Sequence, residues 1–360
     1  MDLFTFIAVS IKIVGAFAVV MLAALLLTWV ERKQSAIMQD RIGANRAEIF
    51  GFRVIGLFQP FADAIKMMSK EDYIPGTGHK VFHMIAPGIP FMMVMVIFAV
   101  IPFGPPVEIF GRTVSMQIAD IELGLLFFFA FGGLGVYGAV LGGWASHNKY
   151  TMIAAIRTGA QMISYEVCLG LSLVGMIMIY GTVDLSQMVI EQSGHWWGWI
   201  PRWGIFLQPI GALLFLPAAI AENKRLPFDL PEAESEIIGY YTEYSGLKGG
   251  LFMFSEFMEI VIIAAIFSLV FLGGWQVPWL SWDGFHWPWG GTALAGVWVV
   301  KGLQFLVYFL KVAFMIYFLV LVRWTLPRFR YDQVMRLGWK YMFPIALLNL
   351  AITGLVLMFL

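Results

Sequence analysis

Cysteine is almost missing from this sequence: its 360 residues include one, Cys168, and only five histidines. A single thiol excludes a disulfide within the chain. An iron–sulfur cluster takes four thiolates, or two thiolates with two histidines, so the chain cannot hold one by itself. A bis-histidine haem needs histidines well inside membrane helices, whereas His79, His83, His147, His195 and His286 fall in expected loops or at helix ends. Charge is scarce too. Asp, Glu, Lys and Arg make up 13% of the residues, about half the share in soluble domains. The 23 basic and 23 acidic side chains cancel, so net charge offers no attraction for nucleic acid. No metal or covalently held cofactor is expected, and electrons for any redox role must come from another subunit.

What is present is apolar: 60% of residues are hydrophobic and the mean hydropathy is +0.81. A membrane-spanning helix needs about 20 mostly apolar residues. Eight stretches qualify: 4–29, 84–101, 118–144, 158–180, 203–221, 255–272, 292–322 and 341–360. The first is too long for a signal-peptide core, follows Asp2 and has no early Lys or Arg, so it is expected to remain as a span. The expected fold is an all-α membrane protein forming one polytopic domain over 1–360.

The loops alternate in basic residues. Loop one carries Arg32, Lys33, Arg41, Arg46, Arg53, Lys66, Lys70 and Lys80; loop three Lys149 and Arg157; loop five Lys224, Arg225 and Lys248; loop seven Arg323, Arg328, Arg330, Arg336 and Lys340. The even loops hold only Arg112 and Arg202. The positive-inside rule puts the odd loops in the cytoplasm and both termini outside. Trp275, Trp279, Trp282, Trp287 and Trp289 crowd loop six without a Lys or Arg. Indole rings favour the membrane–water boundary, so this loop is expected to anchor flat on the outer surface.

Two cytoplasmic loops are richer than connectors need to be. After Pro60, a good first helical residue, Phe61, Ile65 and Met68 share one helix face while Asp63, Lys66 and Lys70 take another. That pattern suits an amphipathic helix in the membrane interface, or a surface helix with an Asp63–Lys66 pair. Loop five strings Glu222, Asp229, Glu232, Glu234 and Glu236 around Lys224-Arg225, with Glu243 close behind. Pro231 can start a helix whose first turn welcomes acids, but Glu232 and Glu236 four apart repel. Crowded carboxylates disfavour ionisation, so the run points to proton handling.

Glu166 lies within the fourth span, where an ionisable group costs about 2.5–3.5 kcal/mol and faces protein or a water path. Arg157 or the loop-five acids are its expected partners. Asp120 and Glu122 sit near the start of the third span, and Lys301 and Lys311 in the seventh. Glu256 and Glu259 open the sixth, where Glu256, like Lys301, can snorkel. In the last cytoplasmic loop arginines interleave with aromatics, as ordinary inside-positive topology or as contacts for an aromatic ligand.

Six blocks in order carry a resemblance. They are Glu31-Arg32-Lys33; Gln59 to Ala64 with Lys66; Gln161 with Ile163 to Glu166; Arg225 with Pro227 to Glu232; Thr242 to Ser245; and Pro327 to Asp332. Together they cover nearly the whole chain and resemble the first membrane-arm subunit of respiratory complex I. Gly43-Ala44-Asn45 stands where that family commonly has Gly-Pro-Asn, and Lys224, before the arginine, where many members have a polar residue. The resemblance implies a proton-pumping NADH:quinone oxidoreductase in the cell inner membrane. Ubiquinone or menaquinone is the implied substrate, with flavin mononucleotide and iron–sulfur clusters in soluble partner subunits. Arg32, Ala62, Asp63, Lys66, Phe228, Arg323 and Arg328 would line or flank the quinone chamber. Glu166, Glu222, Asp229, Glu232, Glu234, Glu236 and Glu243 would couple quinone reduction to proton movement. Two rivals share parts of the pattern: the anchor subunit of a membrane-bound hydrogenase, and a stand-alone ion transporter.

Overall fold

The computed structural model describes residues 3–109, 111–196, 199–231, 233, 236–237, 239–281, 283–287, 289, 291–294 and 296–359. Helices dominate. In chain order they are α1 (Leu3–Met38), α2 (Gln59–Ser69), α3 (Lys80–Ile85), α4 (Gly88–Ile97), α5 (Gly124–Ala145), α6 (Lys149–Tyr180), α7 (Leu185–Glu191), α8 (Gly204–Leu207), α9 (Pro209–Glu222), α10 (Gly246–Phe271), α11 (Val297–Thr325), α12 (Tyr331–Arg336) and α13 (Phe343–Phe359). A π-helical stretch, Leu337–Met342, joins the last two. Among the described residues seven helical segments are long and apolar enough to cross a membrane, and α9 is a shorter apolar helix. The chain is a multi-pass, all-α membrane protein.

Helix ends depart from the hydropathy reading because the chain stays helical past the apolar run. At 1.5 Å per residue, the 36 residues of α1 reach about 54 Å, well beyond a hydrocarbon core of about 30 Å. Glu31, Arg32 and Lys33 are therefore helical rather than in a loop. Likewise α6 begins at Lys149, nine residues before the expected start, and its Asn148 side chain caps it by accepting from the Tyr150 amide. Helix α10 begins at Gly246, so Glu256 lies about 15 Å along it rather than at its mouth. The seventh span starts at Val297, because Thr292–Leu294 is instead a β-strand. Asp120 and Glu122 precede α5 instead of opening it. No helix follows Pro231 among the described residues of 231–245.

Small residues let helices approach closely, as membrane interiors require. Helix α6 packs between α5 and α9; Gly143 faces Ala155, and Gly138 faces Pro90 of α4 so tightly that neither glycine has room for a side chain. Pro209 cannot donate to the preceding turn, and the chain breaks at Gln208 between α8 and α9. Buried Gln208 accepts from Asn349 at 2.8 Å and donates to Thr353, tying the break to α13. The π stretch widens α12–α13 and exposes carbonyls; the Tyr165 hydroxyl donates to Val334 O at 2.8 Å. Lys311 is a structural cap: its Nζ donates to the carbonyls of Leu272, Gly274 and Gln276 at 2.7, 2.9 and 2.8 Å, at the end of α10.

Loop segments contain short antiparallel pairs: β1 (Val107–Ile109) with β2 (Arg112–Val114), β3 (His195–Trp196) with β4 (Ile200–Pro201), and a sheet of β5 (Leu280–Ser281), β6 (Gly284–His286) and β7 (Thr292–Leu294). The tryptophan-rich segment thus folds on itself, stacking Trp287 on Trp289 at 5.8 Å and His195 on Trp279 at 6.2 Å. Trp275, expected as an interface anchor, is instead buried in the core. Trp282 lies outside the described residues.

Candidate functional site

The site grows from the end of α1. Glu31, 6% exposed, binds two arginines at once. One carboxylate oxygen meets Arg225 at 2.9 Å and the other meets Arg323 on α11. The Arg225 guanidinium also lies 4.4 Å from the Phe257 ring centroid, a cation–π contact from α10. Beside them Asn223, Arg225 and Arg323 line a cavity of about 20 Å³, room for a water molecule. A larger cavity of about 150 Å³ lies among α1, the segment that follows α4, α10 and α11 with an apolar lining, and none of the expected chamber residues lines it.

Arg32, one residue on, points to the amphipathic helix. It binds Asp63 of α2 at 2.7 Å, and Gln59 donates to the same carboxylate at 3.2 Å. Lys66 reaches Asp63 only at 3.6 Å from an exposed position, a contact of little energetic weight. Helix α2 is thus tied to α1 by its polar face. Ala62, Phe61, Ile65 and Met68 stay exposed, an arrangement suited to lipid rather than water.

A second strap joins the 225–230 segment to the chain after α11. Arg328 binds the buried Asp229 at 2.9 Å, and the Phe329 amide donates to Pro227 O at 2.9 Å. Phe228 packs between Tyr165 and Phe329, with ring centroids 5.5 and 5.6 Å away. Gln161 on α6 fixes the turn from below, donating to Ala221 O and Phe228 O at 2.6 and 2.8 Å. Four of the expected chamber residues, Phe228, Arg323, Arg328 and Arg32, thereby fall on one end of the bundle.

Among the described residues, the acids of loop five do not form one cluster. Asp229 is taken by Arg328, Glu236 by Arg157 at 2.5 Å, and Glu243 accepts from Asn148 at 2.9 Å. Glu232 and Glu234 lie outside the described residues. Arg157 is therefore not the partner of Glu166, from which it stands nine residues, about 14 Å, along α6. Glu166 instead shares the surface of α5 with Glu222, a like charge rather than a partner. The two carboxylates lie against neighbouring glycines, Glu166 against Gly133 and Glu222 against Gly132.

Three further charged residues, Lys224, Glu256 and Glu259, complete this junction, and sequence pattern alone gives them no site role. Buried Lys224 interacts with Glu222, Glu256 and Glu259. Asn223, with its amide turned to suit its neighbours, donates to the Glu259 carboxylate at 2.7 Å and to Glu256 O at 3.2 Å. The available signal is the spacing of Glu256 and Glu259, which puts both on one face of α10. Among the described residues no group of three or more His, Cys, Asp or Glu is arranged to hold a metal ion.

Residues 11–354 match the model of the NADH dehydrogenase family. A Flavobacterium psychrophilum protein, named as a subunit of NADH-quinone oxidoreductase, is 43% identical over 350 residues, spanning 97% of this chain and 96% of that relative. A Geobacter sulfurreducens protein with the same kind of name is 45% identical over 350 residues, with the same shares of 97% and 96%. A Bdellovibrio bacteriovorus relative, again named as an NADH-quinone oxidoreductase subunit, is 41% identical over 380 residues, covering 99% of this chain and 97% of its own. The chain therefore belongs to the NADH dehydrogenase family, as a membrane subunit of an NADH-quinone oxidoreductase.

Proposed function

We propose that this chain forms the membrane-side wall and lipid-facing entrance of its complex's quinone chamber, and relays charge from quinone reduction to proton translocation. The observation that carries this reading is continuity. Arg225 and Arg323, both bound to Glu31, line a small cavity, and Asn223 on its wall leads to the carboxylates of Glu259, Glu222 and Glu166. Reduction of a quinone consumes two electrons and two protons. The electrons come from NADH through flavin and iron–sulfur clusters of soluble partner subunits, and the bound substrate is ubiquinone or menaquinone. Protons drawn through carboxylates change buried charge where Coulomb terms are large, and that change biases protonation in neighbouring membrane subunits. Helix α2 flanks the entrance with Phe61, Ile65 and Met68 in the lipid interface. The basic end faces the cytoplasm and both termini face the periplasm of the inner membrane. Glu232 and Glu234 belong to the same relay on this reading.

A quinone analogue with a photoreactive ring tests the chamber. Irradiation of the whole complex should label this subunit on peptides containing 28–38, 223–230 or 323–329, and excess quinone should suppress the labelling. Labelling confined to distant spans would contradict the assignment.

A paired substitution tests the relay. A methyl group at Gly133 would lie 2.6 Å from the Glu166 carboxylate, whereas one at Gly132 would lie 3.4 Å from that of Glu222. Both glycines are inside α5, where alanine favours helix. Gly133→Ala should therefore lower quinone-linked NADH oxidation in assembled complex markedly more than Gly132→Ala. Equal activity of the two variants would remove Glu166 from the relay.

A further inference from the structure

The apolar cavity of about 150 Å³ shares no residue with the expected quinone chamber or with the relay. Its inner wall is buried, with Val20 on α1, Phe98 after α4, Ala265 on α10 and Tyr308 on α11. Val19 and Phe309, also in the lining, are exposed, so the cavity opens sideways between α1 and α11. The Tyr308 hydroxyl is the one polar side-chain group in that lining. An apolar cavity of about this size stays dry and takes up hydrocarbon rather than water. Left empty, it forfeits dispersion contacts along its walls.

Two lysines stand on the helix faces that line it. Lys12 precedes Val19 on α1 by two turns, about 10 Å, and Lys301 precedes Tyr308 on α11 by the same interval. The contact of Glu31 with Arg323 sets these two helices in register. From that level Lys12 lies about 28 Å and Lys301 about 33 Å along its helix, close to the hydrocarbon thickness of about 30 Å. Both ammonium groups therefore stand at the membrane boundary opposite the basic end, within snorkelling reach of water. Each donates one hydrogen bond to the connection between α4 and α5, which also walls the cavity: Lys12 to Gln117 O at 3.2 Å, and Lys301 to Pro106 O. Neither forms an ion pair among the described residues, although Asp120 attracts Lys12. Two donors remain on each ammonium.

We propose that this cleft binds one anionic phospholipid from the leaflet opposite the basic end, with its phosphate at Lys12 and Lys301 and one acyl chain in the cavity. Depth supports the match. An acyl chain spans half the hydrocarbon core, about 15 Å, so a headgroup held at the lysines brings the lower half of its chain level with the cavity. Charge supports it too, because an anionic headgroup gains from both lysines whereas a zwitterionic one carries its own cation. Bound there, the lipid fills the gap between α1 and α11 and holds the α4–α5 connection against them.

The test uses the whole complex in phosphatidylcholine bilayers doped with a phospholipid that carries a photoreactive diazirine midway along one chain. The probe is made once as phosphatidylglycerol and once as phosphatidylcholine. Peptides covering 16–24 and 305–316 should be labelled, and the phosphatidylglycerol probe should be favoured there at least about fivefold more than in the rest of the complex. Replacing both lysines, Lys12→Gln with Lys301→Gln, should abolish that preference while chain labelling persists. Ala265→Leu, which fills the cavity from α10, should reduce labelling of 305–316. Excess quinone should change nothing. Absence of label on these peptides, equal labelling by the two probes, or a preference that survives loss of both lysines would overturn the proposal. Suppression by quinone would also overturn it, giving the cavity to a quinone tail. The comparison of the two probes on the wild-type complex decides the matter even where a variant fails to assemble.

Discussion

Changing Glu31 to alanine should destabilise the complex more than any other single substitution at the basic end. The carboxylate neutralises Arg225 and Arg323 together, and its loss leaves two guanidinium groups with little water and no shared anion. Breaking a buried ion pair from one side costs about 3–5 kcal/mol. The thermal midpoint of the purified complex should fall, and less of the subunit should be recovered in assembled form. Replacing Glu31 by Leu and both arginines by Met should recover most of that loss, because apolar packing often matches a buried ion triad in stability. Quinone turnover should stay low in that variant, since the polar wall is gone. A Glu31→Ala complex with wild-type stability would refute the shared-anion role.

The second large effect belongs to the junction. Glu222→Gln keeps the shape of the side chain and removes its capacity to hold and release a proton. Positioned proton-transfer groups contribute factors of about 10²–10⁴, so quinone-linked NADH oxidation should fall by at least about tenfold. Oxidation of NADH by an artificial acceptor that takes electrons upstream of the quinone should remain unchanged. Glu236→Gln should be milder, because Glu236 already serves as the partner of Arg157 near the surface. Equal losses in the two variants would mean that the relay does not run preferentially through Glu222.

The apolar runs make the helices legible, since lipid demands about 20 apolar residues whatever the tertiary structure. Helix ends are less so. Residues such as Glu31, Arg32 and Lys149 read as loop because they are charged, yet hydrogen bonding carries α1 and α6 straight through them. Segment 280–294 reads as a plain anchoring loop because its strands are only two or three residues long, too short to show a strand period, yet they pair into a sheet.

The site is half legible for a similar reason. Local motifs such as Pro227 to Glu232 and Pro327 to Asp332 are visible, but the Arg328–Asp229 pair that straps them together spans 99 residues. The described acids of loop five separate in space because their partners lie apart: Arg328 after α11 for Asp229, Arg157 within α6 for Glu236 and Asn148 at the start of α6 for Glu243. Glu256 and Glu259 read as lying at a helix mouth; only the true start of α10 at Gly246 puts them deep enough to matter. The names of the relatives favour the quinone oxidoreductase over a hydrogenase anchor or a stand-alone transporter.

The most direct measurement is the number of protons pumped per NADH oxidised by the complex reconstituted in liposomes, comparing wild type with Glu166→Gln and Glu222→Gln at matched residual turnover. Carboxylates that link quinone reduction to translocation predict a lower proton yield per NADH in both variants. A wild-type yield in both, however slow the turnover, would contradict the coupling role of the junction.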